Sequence, residues 1–163
     1  MADCLDNGII TAPDGTELSY DGLPDGAFRL IFPKAPFVTM FLQQLDLPGI
    51  QVNQTPRRTP LVDMNEIGEK LNYLPFTCSF LVDKNLKNYK EIYNWMKRMT
   101  VNGSIVGETD TASLVINGKE MCTFVDCWPT SLGQLTFTTT NNDVVYVTCT
   151  AVFQYDYLEF SQS

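Results

Sequence analysis

The residue types that perform catalysis are sparse in this chain. It has no histidine among its 163 residues, which removes Ser-His-Asp and Cys-His nucleophile activation, histidine metal sites and most near-neutral general acid–base designs. Its five cysteines, Cys4, Cys78, Cys122, Cys127 and Cys149, are odd in number and scattered. The Cys122/Cys127 spacing fits no common zinc pattern, so reduced and partly buried thiols are expected, with no metal and no cofactor. Gly118-Lys119 lacks the preceding glycine and following hydroxyl of a phosphate loop. The 19 acidic residues are mostly isolated along the chain, and no pair stands out for glycoside chemistry. The expectation is a protein that is not an enzyme.

Charge gives a second restriction. The formal net charge is −8, the wrong sign for a protein that holds nucleic acid by neutralising phosphates. Asp3, Asp6, Asp14, Glu17, Asp21 and Asp25 all precede the first basic residue, Arg29, in a segment punctuated by Gly8, Pro13, Gly15, Gly22, Pro24 and Gly26. Residues 1–27 are therefore expected to form an acidic, flexible amino-terminal arm, either a solvated tail or one that docks on a neighbour, on a single domain of residues 28–160. No run approaches the roughly 18–20 apolar residues of a membrane span. The amino terminus has neither the basic nor the apolar region of a secretory signal, so retention in the cytoplasm of synthesis is expected.

The elements that would position any site read as mainly β. Ala27–Phe32 and Phe37–Leu42 are rich in strand formers, whereas residues 48–74 show no clear period and are expected to project as a long loop. Phe76, Cys78, Phe80 and Val82 alternate with Thr77, Ser79 and Leu81, the period of a half-buried strand. Leu86, Tyr89, Ile92, Tyr93, Met96 and Met99 then recur at helical spacing, with Asp83 or Asn85 as the expected cap. Trp95 falls off that stripe, which leaves a second buried face, favoured, or a place in an outer contact of the helix. Lys84, Lys87, Lys90, Lys97 and Arg98 give the helix a basic outer side. Asn117-Gly118 predicts a tight hairpin turn. A final hairpin is expected from Leu135–Thr140 and Val144–Tyr157 around a three-residue loop, with a bulge at the turn as the alternative that would shift the register by one. It pairs Phe137 with Val147 and Leu135 with Cys149 on an apolar face, and Thr138 with Tyr146 and Thr136 with Thr148 on a face that carries the threonines.

The stretch Phe124-Val125-Asp126-Cys127-Trp128-Pro129-Thr130-Ser131-Leu132-Gly133-Gln134-Leu135, the aromatic and acidic end Phe153–Phe160, and Leu47-Pro48-Gly49-Ile50 ahead of the projecting segment resemble the tail tube proteins of contractile-tailed bacteriophages. The shared order of elements covers residues 28–160; the acidic arm is a departure. The resemblance implies a small antiparallel β-barrel or sandwich with one flanking amphipathic α-helix and a long projecting loop. It implies a structural virion protein forming homohexameric rings that stack into the conduit for genome ejection. The implied partners are further copies of itself, the tail sheath protein, a baseplate tube initiator, a tail terminator, and a tape measure protein and double-stranded DNA in the lumen without specific binding. The implied location is the virion tail, assembled in the cytoplasm of a host bacterium, without membrane insertion.

Within that frame Arg57, Arg58, Asp63, Glu66, Glu69 and Lys70 are expected at contacts between rings, and Lys84, Lys87, Lys90, Lys97 and Arg98 toward the sheath. A bore must not hold its cargo, so the non-basic set Gln134, Thr136, Thr138, Thr148, Thr150 and Gln154 is expected to face the lumen. Related readings are a baseplate, tube-capping or initiator protein, or the tube of a phage-like injection machine. A reading of another class is a monomeric ligand-binding β-barrel, which would bury its own strand edges.

Overall fold

A computed structural model describes residues 9–11, 17–19, 28–101, 107–140 and 145–162. Most of the expected arm, Asn102-Gly103-Ser104 after the helix and the Asn141-Asn142-Asp143 turn lie outside the described residues. Strands β1 (Ile9–Thr11) and β2 (Glu17–Ser19) pair with each other, antiparallel. None of the described helices is long and apolar enough to cross a membrane.

The first strand of the main sheet is β3 (Phe28–Ile31). Phe37–Leu42, expected as a strand, is instead helix α1 (Pro36–Phe41) running into β4 (Leu42–Asp46). Pro36 opens the helix, where a missing N–H forfeits no intrahelical bond. The Glu91 carboxylate, from a distant helix, accepts the Phe37 N–H at 3.1 Å. That long-range cap is invisible to a local strand signal.

The projecting segment is also corrected. It is a long antiparallel hairpin, β5 (Ile50–Arg58) and β6 (Asp63–Tyr73), rather than a loop. All of its strand residues except Gly68 and Tyr73 are exposed. A ribbon wet on both faces has no reason to alternate apolar with polar residues, so its sequence carries no period of two. Its register slips between Val52↔Leu71 and Gln54↔Ile67. At this bulge Gly68 lies so close to the other strand that a Cβ would stand 2.1 Å from the Asn53 carbonyl oxygen. Only glycine allows that approach.

Strand β7 (Phe76–Leu81) follows, with Phe76, Cys78 and Phe80 buried as their alternation requires. Helix α2 (Lys87–Val101) then buries Asn88, Ile92 and Trp95, with Tyr89, Met96 and Met99 half-buried beside them. Trp95 is therefore in the core, while Tyr93, expected on the buried stripe, is 54% exposed. The expected caps are displaced as well. The Asp83 carboxylate accepts the Asn85 N–H at 3.1 Å in a turn before the helix, and the first helical bond runs from Lys90 N–H to Leu86 O. Asn88, fully buried, donates to the Leu81 carbonyl and accepts from Asp83 N–H, tying the helix to the end of β7.

Strands β8 (Asp110–Ile116) and β9 (Lys119–Leu132) form the Asn117-Gly118 hairpin as expected, with φ of 52° and 78° at the two turn residues. The last hairpin differs. Leu135–Thr140 is not a strand, and Phe137 and Tyr146 are 70% and 74% exposed. Strand β10 (Thr148–Gln154) pairs instead with β7 on one side and with the end of β9 on the other. Thr148 stands opposite Leu81, and Ala151 opposite Leu132, one residue away from the expected register. A further slip at Val152/Phe153 skips Thr130 of β9, while β10 holds Cys149, Ala151 and Phe153 inward by regular alternation, with Tyr155 beyond them.

After a bend at Asp156, β11 (Tyr157–Phe160) continues along β9, with Tyr157 opposite Val125. Both strands of this ribbon change phase at the same place. On β9 the buried positions move from Cys122 and Phe124 to Cys127 and Pro129 across Asp126, whose φ is 52°. On the opposite strand they move from Tyr155 to Leu158. The matched irregularities turn a corner, so β9 serves two four-stranded sheets, β3-β8-β9-β11 and β9-β10-β7-β4. The described strands thus build a sandwich and do not close into a barrel. Phe76 and Phe124, from opposite sheets, meet at 4.4 Å between ring centroids. Phe153 stacks on Phe76 and Phe32 at 5.2 and 5.0 Å, and Trp95 closes the stack from α2.

Candidate assembly surfaces

Three surfaces leave the sandwich unfinished. The first comprises the strand edges. Among the described residues the outer sides of β3, β4 and β11 have no strand partner. Such rows of open N–H and C=O groups are templates for pairing with another chain.

The second is hairpin β5–β6, which carries every one of the expected inter-ring residues. Arg57 donates to Glu66 of its own hairpin at 2.8 Å, and Arg58 stands opposite Asp63 in the register. Glu69 and Lys70 lie in the bulged stretch before Leu71. Arg57 is thus already paired within the subunit, though both partners remain more than half exposed, where an ion pair contributes at most about 1 kcal/mol. Sequence reasoning missed the apolar content of this arm. Leu61 and Ile67 are 94% and 88% exposed, and Ile50, Val52, Met64 and Leu71 are exposed with them. A lone two-stranded ribbon is marginal in water, and an apolar one needs a surface to cover it.

The third is the outer face of the β9-β10-β7-β4 sheet. Thr148 and Thr150 lie on it, as expected, and the Thr150 hydroxyl is 3.2 Å from that of Ser79. Gln154 shares the strand but is half-buried, its amide donating to the Tyr73 carbonyl at the hairpin base. Gln134, Thr136 and Thr138 are exposed but fall in the non-strand stretch after β9. They do not form the ladder expected against Tyr146 and Thr148, and the Thr138 hydroxyl lies instead 2.9 Å from that of Thr140. Residues that the alternation of the last strand did not point to complete the surface: Thr77 and Ser79 on β7, Gln44 and Asp46 on β4, and Ser131 on β9. Their signal was present, since Thr77 and Ser79 alternate with the buried Phe76, Cys78 and Phe80. No lysine or arginine stands among these residues, and Asp46 is the one ionised group.

On the opposite flank, Lys84, Lys87, Lys90, Lys97 and Arg98 are all exposed, at or along α2. Lys87 Nζ sits 5.6 Å from the centre of the Phe37 ring, and Arg98 Nε is 3.2 Å from the Glu108 carboxylate. Among the described residues no cluster of three or more Cys, Asp or Glu is placed to hold a metal. Burial pushes the Cys78 and Cys127 thiols up to about 12, with neighbouring Cys149 and Asp110 adding to the respective shifts, so neither is a nucleophile at neutral pH.

The arrangement defines an antiparallel β-sandwich with a docked helix and a projecting hairpin. The same fold occurs in solved structures of contractile injection systems. A chain of the anti-feeding prophage cap, the tube-terminating cap, superposes with a TM-score of 0.62 at 14% identity, covering 94% of this chain and 100% of that one. A chain of the sheath–tube complex of an extracellular contractile injection system, in the extended state, gives 0.59 at 14% identity over 87% and 94%. A chain of the six-fold symmetrised baseplate of the anti-feeding prophage gives 0.58 at 11% identity over 88% and 97%. No protein-family model and no curated protein sequence matches the chain.

Proposed function

We propose that this protein is the tube subunit of a contractile tail, forming six-membered rings that stack into a conduit for genome ejection inside a sheath. The observation that carries the reading is the exposed hairpin β5–β6, whose apolar residues Leu61 and Ile67 are 94% and 88% exposed. A monomeric binding barrel would have no use for it. Further copies of the chain cover such an arm and complete the open edges of β3, β4 and β11 by strand addition, and head-to-tail contacts of this kind close into rings. The shared fold with injection-system components supports the same assembly class.

In this reading the face bearing Thr77, Ser79, Thr148 and Thr150 lines the bore, together with the exposed Gln134, Thr136 and Thr138. The hairpin, with Arg57, Arg58, Asp63, Glu66, Glu69 and Lys70, contacts the next ring. The basic side of α2 turns toward the sheath. A second reading, a tube-terminating cap, is favoured by the superposition that covers the whole of the cap chain. Electron microscopy of native particles with a labelled chain separates the two. Label along the whole tube is expected; label confined to one end establishes the cap, and label on no tubular structure overturns both.

A further inference from the structure

The basic side of α2 has too few carboxylates of its own. Among the described residues the ion pairs are Arg57 with Glu66 and Arg98 with Glu108. Glu91, the acid within α2, is committed to the α1 amino terminus through Phe37 N–H, and the Asp83 carboxylate to Asn85 N–H. Lys84, Lys87, Lys90 and Lys97 thus stand without an ion pair among the described residues. Near the carboxyl end of the helix, Asn94, Lys97, Arg98 and Val101 line an open groove of about 380 Å³, and Val101 is 73% exposed. Basic and apolar chemistry are interleaved there.

The complementary chemistry is in the same chain. Residues 1–27 carry Asp3, Asp6, Asp14, Glu17, Asp21 and Asp25 with no basic residue, interleaved with Leu5, Ile9, Ile10, Leu18 and Leu23. The arm joins the domain at Phe28, opposite Ile116 beside the Asn117-Gly118 turn. The other end of β3 leads to Phe32, whose ring lies against Trp95 of α2 at 6.5 Å. Phe28, where the arm joins, is therefore at the end of β3 opposite to the one that leads to the Phe32–Trp95 contact. An acidic segment leaving one end and a basic groove near the other are the two halves of a head-to-tail contact.

We infer that the acidic amino-terminal arm of one copy docks on the carboxyl-terminal half of α2 of a second copy, at Asn94, Lys97, Arg98 and Val101. The contact is electrostatic in reach and apolar in its seat. Lys84, Lys87 and Lys90 remain for another partner. The inference does not depend on the tube reading, because it concerns contact between any two copies.

Cys4 makes it testable in the full chain, because it lies in the arm, while Cys78, Cys122, Cys127 and Cys149 are buried. The substitution Asn94→Cys adds a thiol to the groove without removing a charge. Concentrated full-length protein is oxidised mildly at low salt, and products are separated without reductant. In this oxidation two thiols lose two protons and two electrons to the added oxidant, such as diamide, and form one disulfide. The expected result is a ladder of dimers and higher covalent oligomers that requires both Cys4 and the thiol at position 94. The ladder should weaken by roughly an order of magnitude in 1 M salt, where the Debye length is about 3 Å, and in an Asp3→Asn, Asp6→Asn variant. A disulfide formed only within single chains, or a ladder no stronger than that of a Thr148→Cys control on the opposite sheet face, would overturn it. Tube formation is scored separately by microscopy, so loss of the ladder in intact tubes rejects the arm contact alone.

Discussion

Replacing Gly68 by alanine places a Cβ 2.1 Å from the Asn53 carbonyl oxygen and 2.6 Å from its carbon. Both obstacles are backbone, so no side chain can swing aside, and the bulge itself must open. Overpacking of this kind costs about 1–3 kcal/mol. The location decides where that cost falls. Hairpin β5–β6 is exposed along nearly its whole length and, apart from Tyr73 at its base, supplies no residue to the core. Strain there is expected to unpair the ribbon beyond Gln54 and Ile67 as a local event, leaving the sandwich intact. The melting temperature should then move by less than about 2 °C. If the strain reached the core, each kcal/mol would lower it by about 2–4 °C for a domain of this size. Calorimetry reads the first quantity, and electron microscopy of assembled particles reads the second, with tubes short or absent. Normal tubes from a Gly68→Ala protein would refute the assignment of the hairpin to contacts between rings.

Three further outcomes follow from the same geometry. The double charge reversal Arg57→Glu, Arg58→Glu should shorten or abolish tubes while leaving the melting temperature nearly unchanged, because exposed ion pairs contribute at most about 1 kcal/mol; an unaltered length distribution by microscopy would contradict it. With Thr148 and Thr150 on the bore as proposed, Thr148→Lys with Thr150→Lys should leave assembly intact but slow genome release, since each added cation would neutralise phosphates of the passing duplex; ejection kinetics at unchanged rate would remove these residues from the lumen. The Cys78 and Cys127 thiols, pushed up to about 12 by burial, keep their protons in the folded chain after the unfolded chain loses its own near pH 9. The folded state then binds more protons, so stability should be full below about pH 9 and decline as pH rises toward 12, by at most about 1.4 kcal/mol per pH unit per thiol; urea titrations between pH 8 and 11 showing no decline would contradict the burial of these groups.

Elements with one wet and one dry face were legible in the sequence. Phe76, Cys78 and Phe80 alternate because β7 faces the core on one side, and Asn117-Gly118 reads as a hairpin turn because few other pairs accept two positive φ values. Hairpin β5–β6 was illegible for the opposite reason: with both faces exposed, nothing selects a period. Helix α1 was misread because its cap comes from Glu91, more than fifty residues away. The register of the last strand failed before the corner: Ala151 already stands opposite Leu132, one residue off, and the pairing slips again at Val152/Phe153, whereas from Gln154 opposite Trp128 to Phe160 opposite Cys122 it runs without a break. Alternation read along β10 cannot anticipate an extra residue, Thr130, in the strand opposite. Of the lumen candidates, Thr148 and Thr150 keep their place on one sheet face because they belong to a true strand, while Gln134, Thr136 and Thr138 were assigned through a ladder that does not form.

The central claim is that identical copies complete this unfinished sandwich into a hollow cylinder. Cryo-electron microscopy of the native particle, at a resolution that shows side chains, tests it most directly. The expected map has copies of the chain in closed rings, with Thr77, Ser79, Thr148 and Thr150 on the bore and hairpin β5–β6 reaching the adjacent ring. A map with those four residues buried between subunits, or with the hairpin folded back on its own sandwich, would contradict it.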